Sequence, residues 1–251
     1  MRNPLIITGH RGAGGLAPEN TLASIQLALD LGVDRIEIDV QQTNDNVIIV
    51  LHDRTLRRTT DGFGFVKNMD YADLLKYSAG IKFNKVYADE KVPTLEQVID
   101  LINGKVELVI ETKHSYLYYP NIERHILNII KNKNALNWCK IISFNDRALF
   151  RIHKLNKEVR TGKLFVSKSP NLPLSYDTTI NFKPLERYHF VDEIIVQHKY
   201  ASQALIDKVH SFGKQLHVWT VNDSETIEKL INRGVDGIIS DYPNLLLKYK
   251  L

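Results

Sequence analysis

The amino-acid sequence predicts a closed (β/α)8 TIM barrel, with a small insertion over the C-terminal face of the barrel. Three observations carry that prediction. Short apolar runs alternate with segments of helical period almost from end to end. The β–α units recur in kind without repeating in sequence, which argues for a parallel sheet and, by their number, for closure. The length of 251 residues matches one barrel of roughly 250 residues, so residues 1–251 are read as one domain.

In chain order, the strand candidates are residues 5–8, 35–40, 47–51, 106–110, 140–143, 161–166, 193–196, 216–219 and 237–239. Helix candidates fall between them at 21–31, 95–102, 122–131, 148–155, 201–212 and 224–233. In the first helix Leu22, Ile25, Leu27 and Leu29 with Ala28 give one broad apolar face. Gly32, Gly213 and Gly234 follow the last turns of their helices, where a left-handed cap residue is expected.

The strand candidates exceed the barrel's number by one, and connection length resolves the excess. Parallel neighbours need a crossover of about a dozen residues. Only 41–46 separates the second run from the third, and Thr43-Asn44-Asp45-Asn46 is turn chemistry. The pair therefore reads as a barrel strand that rises past the rim and returns as a hairpin. Its expected register sets Gln42 opposite Val47, Asp39 opposite Val50 and Glu37 opposite His52, placing Glu37, Asp39 and His52 on one face. Residues 54–93 lack sustained periodicity, contain Asp61-Gly62-Phe63-Gly64, and form the expected insertion. No linker, low-complexity tract or second domain is visible beyond it.

Composition excludes several classes. The formal charge is +4 with a pI near 8.9, and the basic clusters at 54–58 and 131–133 are too small for a nucleic-acid arm. A mild positive field favours an anionic substrate, and ordinary solubility explains it equally well. Cys139 is the only cysteine, which rules out an intrachain disulfide and a cysteine-based metal site. The N-terminus has no signal-peptide pattern, and no apolar run approaches the roughly 18 residues of a membrane span. A cytoplasmic protein without a stable membrane anchor is expected.

Polar residues cluster where barrel active sites are built, at the C-terminal ends of successive strands. Gly9-His10-Arg11-Gly12 ends the first strand, Glu37-Ile38-Asp39 lies on the next, His52-Asp53 ends the return strand, and Glu111-Thr112-Lys113 ends the fourth. Each signal alone has a bland explanation: a Glu-X-Asp pair is commonly salt-bridged, a strand-end histidine commonly structural, and Lys113 could simply pair with Glu111. Together they change the reading. Charged residues ending apolar strands are costly to desolvate unless paired, and a bound cation would pair Glu37, Asp39 and Glu111 at once.

These motifs, in order, resemble those of glycerophosphodiester phosphodiesterases. Carrying the resemblance are His10-Arg11-Gly12, Pro18-Glu19-Asn20-Thr21, Glu37-Ile38-Asp39, His52-Asp53 with Arg58-Thr59-Thr60-Asp61-Gly62, and Glu111-Thr112-Lys113. Trp219-Thr220-Val221-Asn222 and the run from Gly234 to Pro243 continue it, so nearly the whole chain is covered. Only 167–187 matches loosely. The resemblance implies a divalent cation and hydrolysis of small glycerophosphodiesters to glycerol 3-phosphate and an alcohol. It implies that Glu37, Asp39 and Glu111 hold the metal, that His10 and His52 are the acid–base pair, and that Arg11 and Lys113 contact the phosphate. Glu19 and Asn20 match a motif that shapes the floor of the site. The likeness extends to barrel phospholipases that cleave through a cyclic phosphate.

The chemistry asks for the same groups. A phosphodiester repels an attacking oxygen unless cations neutralise its non-bridging oxygens. Carboxylates alone form a hard oxygen site suited to Ca²⁺ or Mg²⁺. Arginine grips phosphate in a fork, lysine supplies a point charge, and histidine works as acid or base near neutral pH. Trp219, at a strand end, either contacts substrate or packs in the core. Tyr116, Tyr118 and Tyr119 either line the mouth or pack a loop. His114, His198, Phe144 and Asn222 are further candidates, whereas His153, His189, His210 and His217 are assigned to helices, loops or the sheet interior. Two other functions are weighed: a lysophospholipase D-like or glycerol-phosphate polymer phosphodiesterase, and a barrel that binds phosphoglycerol without turnover.

Overall fold

In the computed structural model, which describes residues 4–166 and 185–250, β1 (Ile6–Gly9) leads into α1 (Leu22–Leu31), β2 (Arg35–Gln42) and β3 (Ile48–Val50). After α2 (Tyr71–Leu74) and α3 (Leu95–Ile102) the chain alternates regularly. It runs through β4 (Glu107–Thr112), α4 (Ile122–Asn132), β5 (Cys139–Ser143), α5 (Asp146–Leu155), β6 (Arg160–Phe165) and β7 (Glu193–Gln197). It ends with α6 (Gln203–Ser211), β8 (Gln215–Trp219), α7 (Ser224–Arg233) and β9 (Gly237–Ser240). Every strand but β3 lies in one parallel sheet, and β1 pairs with both β2 and β9, which closes it into a (β/α)8 barrel. Among the described residues no helix is long and apolar enough to cross a membrane.

Strand alternation sorts side chains between two cores. Ile7, Ile36, Ile38, Leu108, Ile110 and Ile141 face outward and pack with Ile25, Ala28, Val98, Ile102 and Ile126 of the helices. Burial of each Ile, Leu or Val side chain among them contributes about 1.5–3 kcal/mol before conformational entropy is subtracted. The inward residues form layers. At the N-terminal end, Glu193 accepts from Lys140 (2.5 Å) and Arg35 (2.9 Å), beside buried His217. Gly237 makes room for that layer, because a Cβ there would lie 2.1 Å from His217 Nδ1. Val109, Ile142, Leu164, Ile195 and Ile239 fill the middle. Glu37, Asp39 and Glu111 come next, toward the mouth.

Helix ends follow the sequence signals. Thr21 with Ser24 and Thr94 with Gln97 form capping boxes, which satisfy otherwise unpaired N–H groups. Gly32, Gly213 and Gly234 adopt φ of +75°, +66° and +88°. α6 begins later than expected because Ser202 caps it.

The hairpin departs from the expected register by one residue. Val40 lies opposite Val50 and Gln42 opposite Ile48, so the connection is one residue longer than the turn chemistry suggested. Thr43 closes that loop twice: its N–H donates to Val47 O (3.0 Å), and its Oγ1 accepts from Val47 N (2.9 Å). The slip removes the expected Asp39–Val50 and Glu37–His52 pairings. His52 reaches the mouth another way. Leu51 N donates to Asp39 O (2.9 Å), the ladder ends, and the chain bends through 52–54.

Residues 54–93 carry their own small apolar cluster of Leu56, Val66, Leu74, Ala79 and Val92, packed on Ile49 and Leu51. α2, a single turn, is too short for helical periodicity to show in the sequence.

Candidate active site

His10 follows the last residue of β1, and its N–H donates to Ser240 O (2.9 Å) at the end of β9. The chain then turns sharply. Gly12 sits at φ +82°, and a Cβ there would lie 2.6 Å from the Ser24 carbonyl. Only glycine fits both demands. The turn lays Arg11 over β2, where its N–H donates to Glu37 Oε2 (3.1 Å).

Glu37, Asp39 and Glu111 are buried and each offers a carboxylate oxygen within 4.8 Å of the others. Parallel register explains the convergence, since Asp39 pairs directly with Glu111 across β2 and β4. Lys113 Nζ lies 2.8 Å from Asp39 Oδ1 and 2.7 Å from Glu111 Oε1, and Arg11 Nε lies 3.2 Å from Asp39 Oδ2. Burial and the neighbouring charges of Asp39 and Glu111 push the Glu37 carboxyl well above its ordinary range. Burial likewise raises Glu111, against the pull of Lys113. Asp39 responds oppositely: burial favours its acid form, but Lys113 and Arg11 outweigh that and hold it far below the usual carboxylate range.

The two histidines have matching surroundings. His10 Nδ1 donates to Asp241 Oδ1 (2.6 Å), and His52 Nδ1 donates to Asp53 Oδ1 (2.5 Å). Both aspartates stay ionised: burial raises them, but hydrogen bonds from His10 to Asp241, and from Arg58 and His52 to Asp53, pull them below their ordinary value. An ionised carboxylate only accepts, so the proton sits on each Nδ1 and a neutral ring carries its lone pair on Nε2. Asp241 is itself fixed by Asn222 Nδ2 (2.6 Å). Burial and the Lys113 charge press the His52 imidazole below its ordinary value.

These groups open on a cavity of about 320 Å³. His10, Arg11, Glu37, His52, Glu111 and Lys113 form its polar side, while Ile142, Phe144, Leu164, Trp219 and Ile239 form an apolar wall. Trp219 meets Phe144 edge to face at 5.6 Å, and its buried Nε1 has no hydrogen-bond partner among the described residues. Glu19 and Asn20 stand behind the cavity. Glu19 Oε1 accepts from Arg11 Nη1 (2.7 Å), and Asn20 Nδ2 donates to Asp39 Oδ2 (2.9 Å).

The tyrosines belong to a packed loop: Tyr119 is buried and donates to Gln41 (2.7 Å), Tyr118 lies under Arg54, and Tyr116 under Arg151. His114 accepts from Arg54 (3.0 Å), and burial pushes its imidazole down to about 4. His198 lines no part of the cavity. His217 lies inside the sheet, with its imidazole driven to about 4 by burial. The loosely matching segment 167–187 falls mostly outside the described residues.

Sequence reasoning gave no role to Asp53, Asp241 or Arg58. All three stand within recognised motifs, yet Asp241 meets His10 only because β9 closes the barrel against β1.

Nearly the whole chain is similar to known proteins. A model of the glycerophosphoryl diester phosphodiesterase family matches residues 10–245. A glycerophosphodiester phosphodiesterase of Caldanaerobacter subterraneus subsp. tengcongensis is 36% identical over 243 residues, covering 96% of each chain. One from Bacillus subtilis is 32% identical, covering 98% of this chain and 86% of its own. Among solved structures, an Oleispira antarctica phosphodiesterase in complex with the product sn-glycerol-3-phosphate superposes with a TM-score of 0.86 at 27% identity, covering 98% of this chain and 96% of its own. The chain belongs to the glycerophosphoryl diester phosphodiesterase family, an enzyme family of phosphoric diester hydrolases.

Proposed function

We propose that this site hydrolyses small glycerophosphodiesters to glycerol 3-phosphate and an alcohol, with a divalent cation, Ca²⁺ or Mg²⁺, held by Glu37, Asp39 and Glu111. The observation that carries the reading is the meeting of Glu37 and Glu111, with fully buried Asp39 beside them, and His10 and His52 at one cavity. The similar Oleispira phosphodiesterase, solved with sn-glycerol-3-phosphate, supports the same substrate class.

The residues fit a hard cation. Glu37 Oε1 is buried without a hydrogen-bond partner among the described residues, and every ligand atom in the cluster is oxygen. Three carboxylates face two cations, Lys113 and Arg11, which leaves one negative charge over. A divalent cation reverses that sign, and the phosphodiester anion then balances it. When bound, the cation would supply charge neutralisation at the phosphoryl oxygens.

Arg11 and Lys113 draw the phosphate into the mouth. The apolar wall, with the Trp219 ring in it, takes the carbon side of the substrate. His10 Nε2 removes the proton from the C2 hydroxyl of glycerol, and that oxygen attacks phosphorus. The bond to the alcohol breaks, and the departing oxygen takes the Nε2 proton of His52, which enters this step as the imidazolium, protonated on both nitrogens. The environment that lowers the His52 value makes its protonated form the stronger acid. In the second half, His52 takes a proton from water, the water oxygen opens the five-membered cyclic phosphate, and His10 returns its proton to O2. Attack within one bound molecule removes much of the entropic barrier.

A panel of glycerophosphodiesters with Ca²⁺ or Mg²⁺ tests the reading, with glycerol 3-phosphate release as the readout. Binding of every member without release would leave a non-catalytic phosphoglycerol barrel. An analogue lacking the C2 hydroxyl should bind and turn over poorly. Its hydrolysis at an ordinary rate would mean that water attacks directly.

A further inference from the structure

Arg58 belongs to none of the catalytic strands, yet its guanidinium touches the supports of both sides of the mouth. Its Nη1 and Nη2 donate to Glu19 Oε2 (2.6 Å) and Oε1 (2.7 Å), and its Nε donates to Asp53 Oδ2 (2.8 Å). Glu19 also holds Arg11, and Asp53 also holds His52. One unbroken chain of charge-assisted hydrogen bonds therefore runs from Arg11 through Glu19, Arg58 and Asp53 to His52. We infer that Arg58 is a positioning residue, fixing His52 and Arg11 relative to one another so that the segment 54–93 completes the site. This rests on the acid–base reading of His52 above.

The physical case has three parts. A planar guanidinium presents donors in fixed directions, so gripping two carboxylates with one fork also fixes the angle between them. The turn that carries it is built: Thr60 is buried, its N–H and Oγ1 both bond Leu56 O (3.0 and 2.8 Å), and it accepts from Gly62 N (3.0 Å). The Arg58 side chain is 45% exposed. Exposed ion pairs contribute little to stability, so holding the fold together is a poor account of so complete a fork. Without Arg58, Asp53 keeps, among the described residues, only His52 as a side-chain partner, and the pair can swing together away from the leaving oxygen.

The test uses full-length, metal-loaded protein and a glycerophosphodiester with an alkyl leaving group. Arg58→Ala should lower kcat by about 10–100-fold, the scale of a small misplacement of a catalytic group, with the melting temperature nearly unchanged. Arg58→Lys, which cannot span both carboxylates, should recover only part of the rate and provides a second variant should alanine disturb folding. Added guanidinium ion at millimolar concentration should partly restore Arg58→Ala, because the gap opens to solvent. In a His52→Ala background, Arg58→Ala should cost distinctly less than it does with His52 present. Normal kcat in Arg58→Ala, or an equal fold-loss with and without His52, would overturn the inference. Normal turnover in His52→Ala alone would instead remove the acid–base reading on which it rests.

Discussion

Asp39 and Glu111 stand directly opposite one another in the parallel ladder of β2 and β4, and one ammonium, that of Lys113, lies within 2.8 Å of both. Their carboxyls nevertheless shift in opposite directions. Asp39 also takes Arg11 and Asn20, whereas Glu111 has Lys113 against burial and the Asp39 charge. With Glu37 added, the cluster holds more negative charge than its partners balance, and burial with the charges of Asp39 and Glu111 pushes the Glu37 carboxyl well above its ordinary range.

Glu37→Gln should therefore stabilise the metal-free protein while weakening its metal site. Removing like-charge repulsion should raise the melting temperature by about 2–4 °C for each kcal/mol relieved. Asp39→Asn should do the reverse to the apoprotein, because Arg11 and Lys113 lose a buried partner. Thermal melts of chelated proteins distinguish the two variants. Equal destabilisation by both would mean that the charges in the cluster are already balanced.

His10→Ala and His52→Ala should each lower turnover by about 10²–10⁴-fold, the range for a positioned acid or base. The double variant should lose less than the product, since the pair acts as a unit. Steady-state kinetics at saturating metal decides this. A single variant with near-normal kcat would make that histidine structural.

Asp241→Asn makes a sharper test of His10 orientation. Asn222 Nδ2 already donates to Asp241 Oδ2. An asparagine there would keep its oxygen toward Asn222 and turn its amide N–H toward His10 Nδ1. The ring proton would be forced onto Nε2, the wrong nitrogen for a base. A kcat loss of about 10²–10⁴-fold with little change in KM is expected. Unchanged kcat would show that Asp241 does not set the tautomer.

Acid should destabilise the fold through the floor of the barrel. Burial raises Glu193, but His217, Lys140 and Arg35 outweigh it and hold its carboxyl at about 2. Its contribution is present above the unfolded carboxyl value near 4.5 and is lost as pH falls toward 2. His217 is held at about 4 by burial, against 6.5 in the unfolded chain. The unfolded state binds that proton first, so stability falls between pH 6.5 and 4. Urea unfolding of His217→Gln should show a shallower pH dependence across that interval. An unchanged slope would remove His217 from the account.

The barrel was legible because alternation of strand and helix signals needs only local pattern, and the motif residues were legible because they end strands. The hairpin register was not. One extra residue in the connection, with Asn46 at φ +66°, shifts every pairing, and sequence did not reveal that Thr43 would close the longer loop. His52 reached the mouth despite that error, because β3 stops at Val50 and the bend, not strand parity, aims the side chain. The roles of Asp241 and Arg58 escaped notice for another reason: His10 and Glu19, the partners that give them those roles, lie 231 and 39 residues away, joined only by barrel closure or by the return of the 54–93 segment. The ionic floor of Arg35, Lys140, Glu193 and His217 could have been found, since Arg35 shares strand parity with Glu37 and Asp39.

Divalent-cation titration of protein stripped of metal, followed in the same samples by glycerol 3-phosphate release from a glycerophosphodiester, tests the central claim most directly. The account predicts one Ca²⁺ or Mg²⁺ bound per chain, release that rises in proportion to occupancy, and loss of both in Glu111→Gln. Full release from protein whose metal content has been verified as negligible would contradict it.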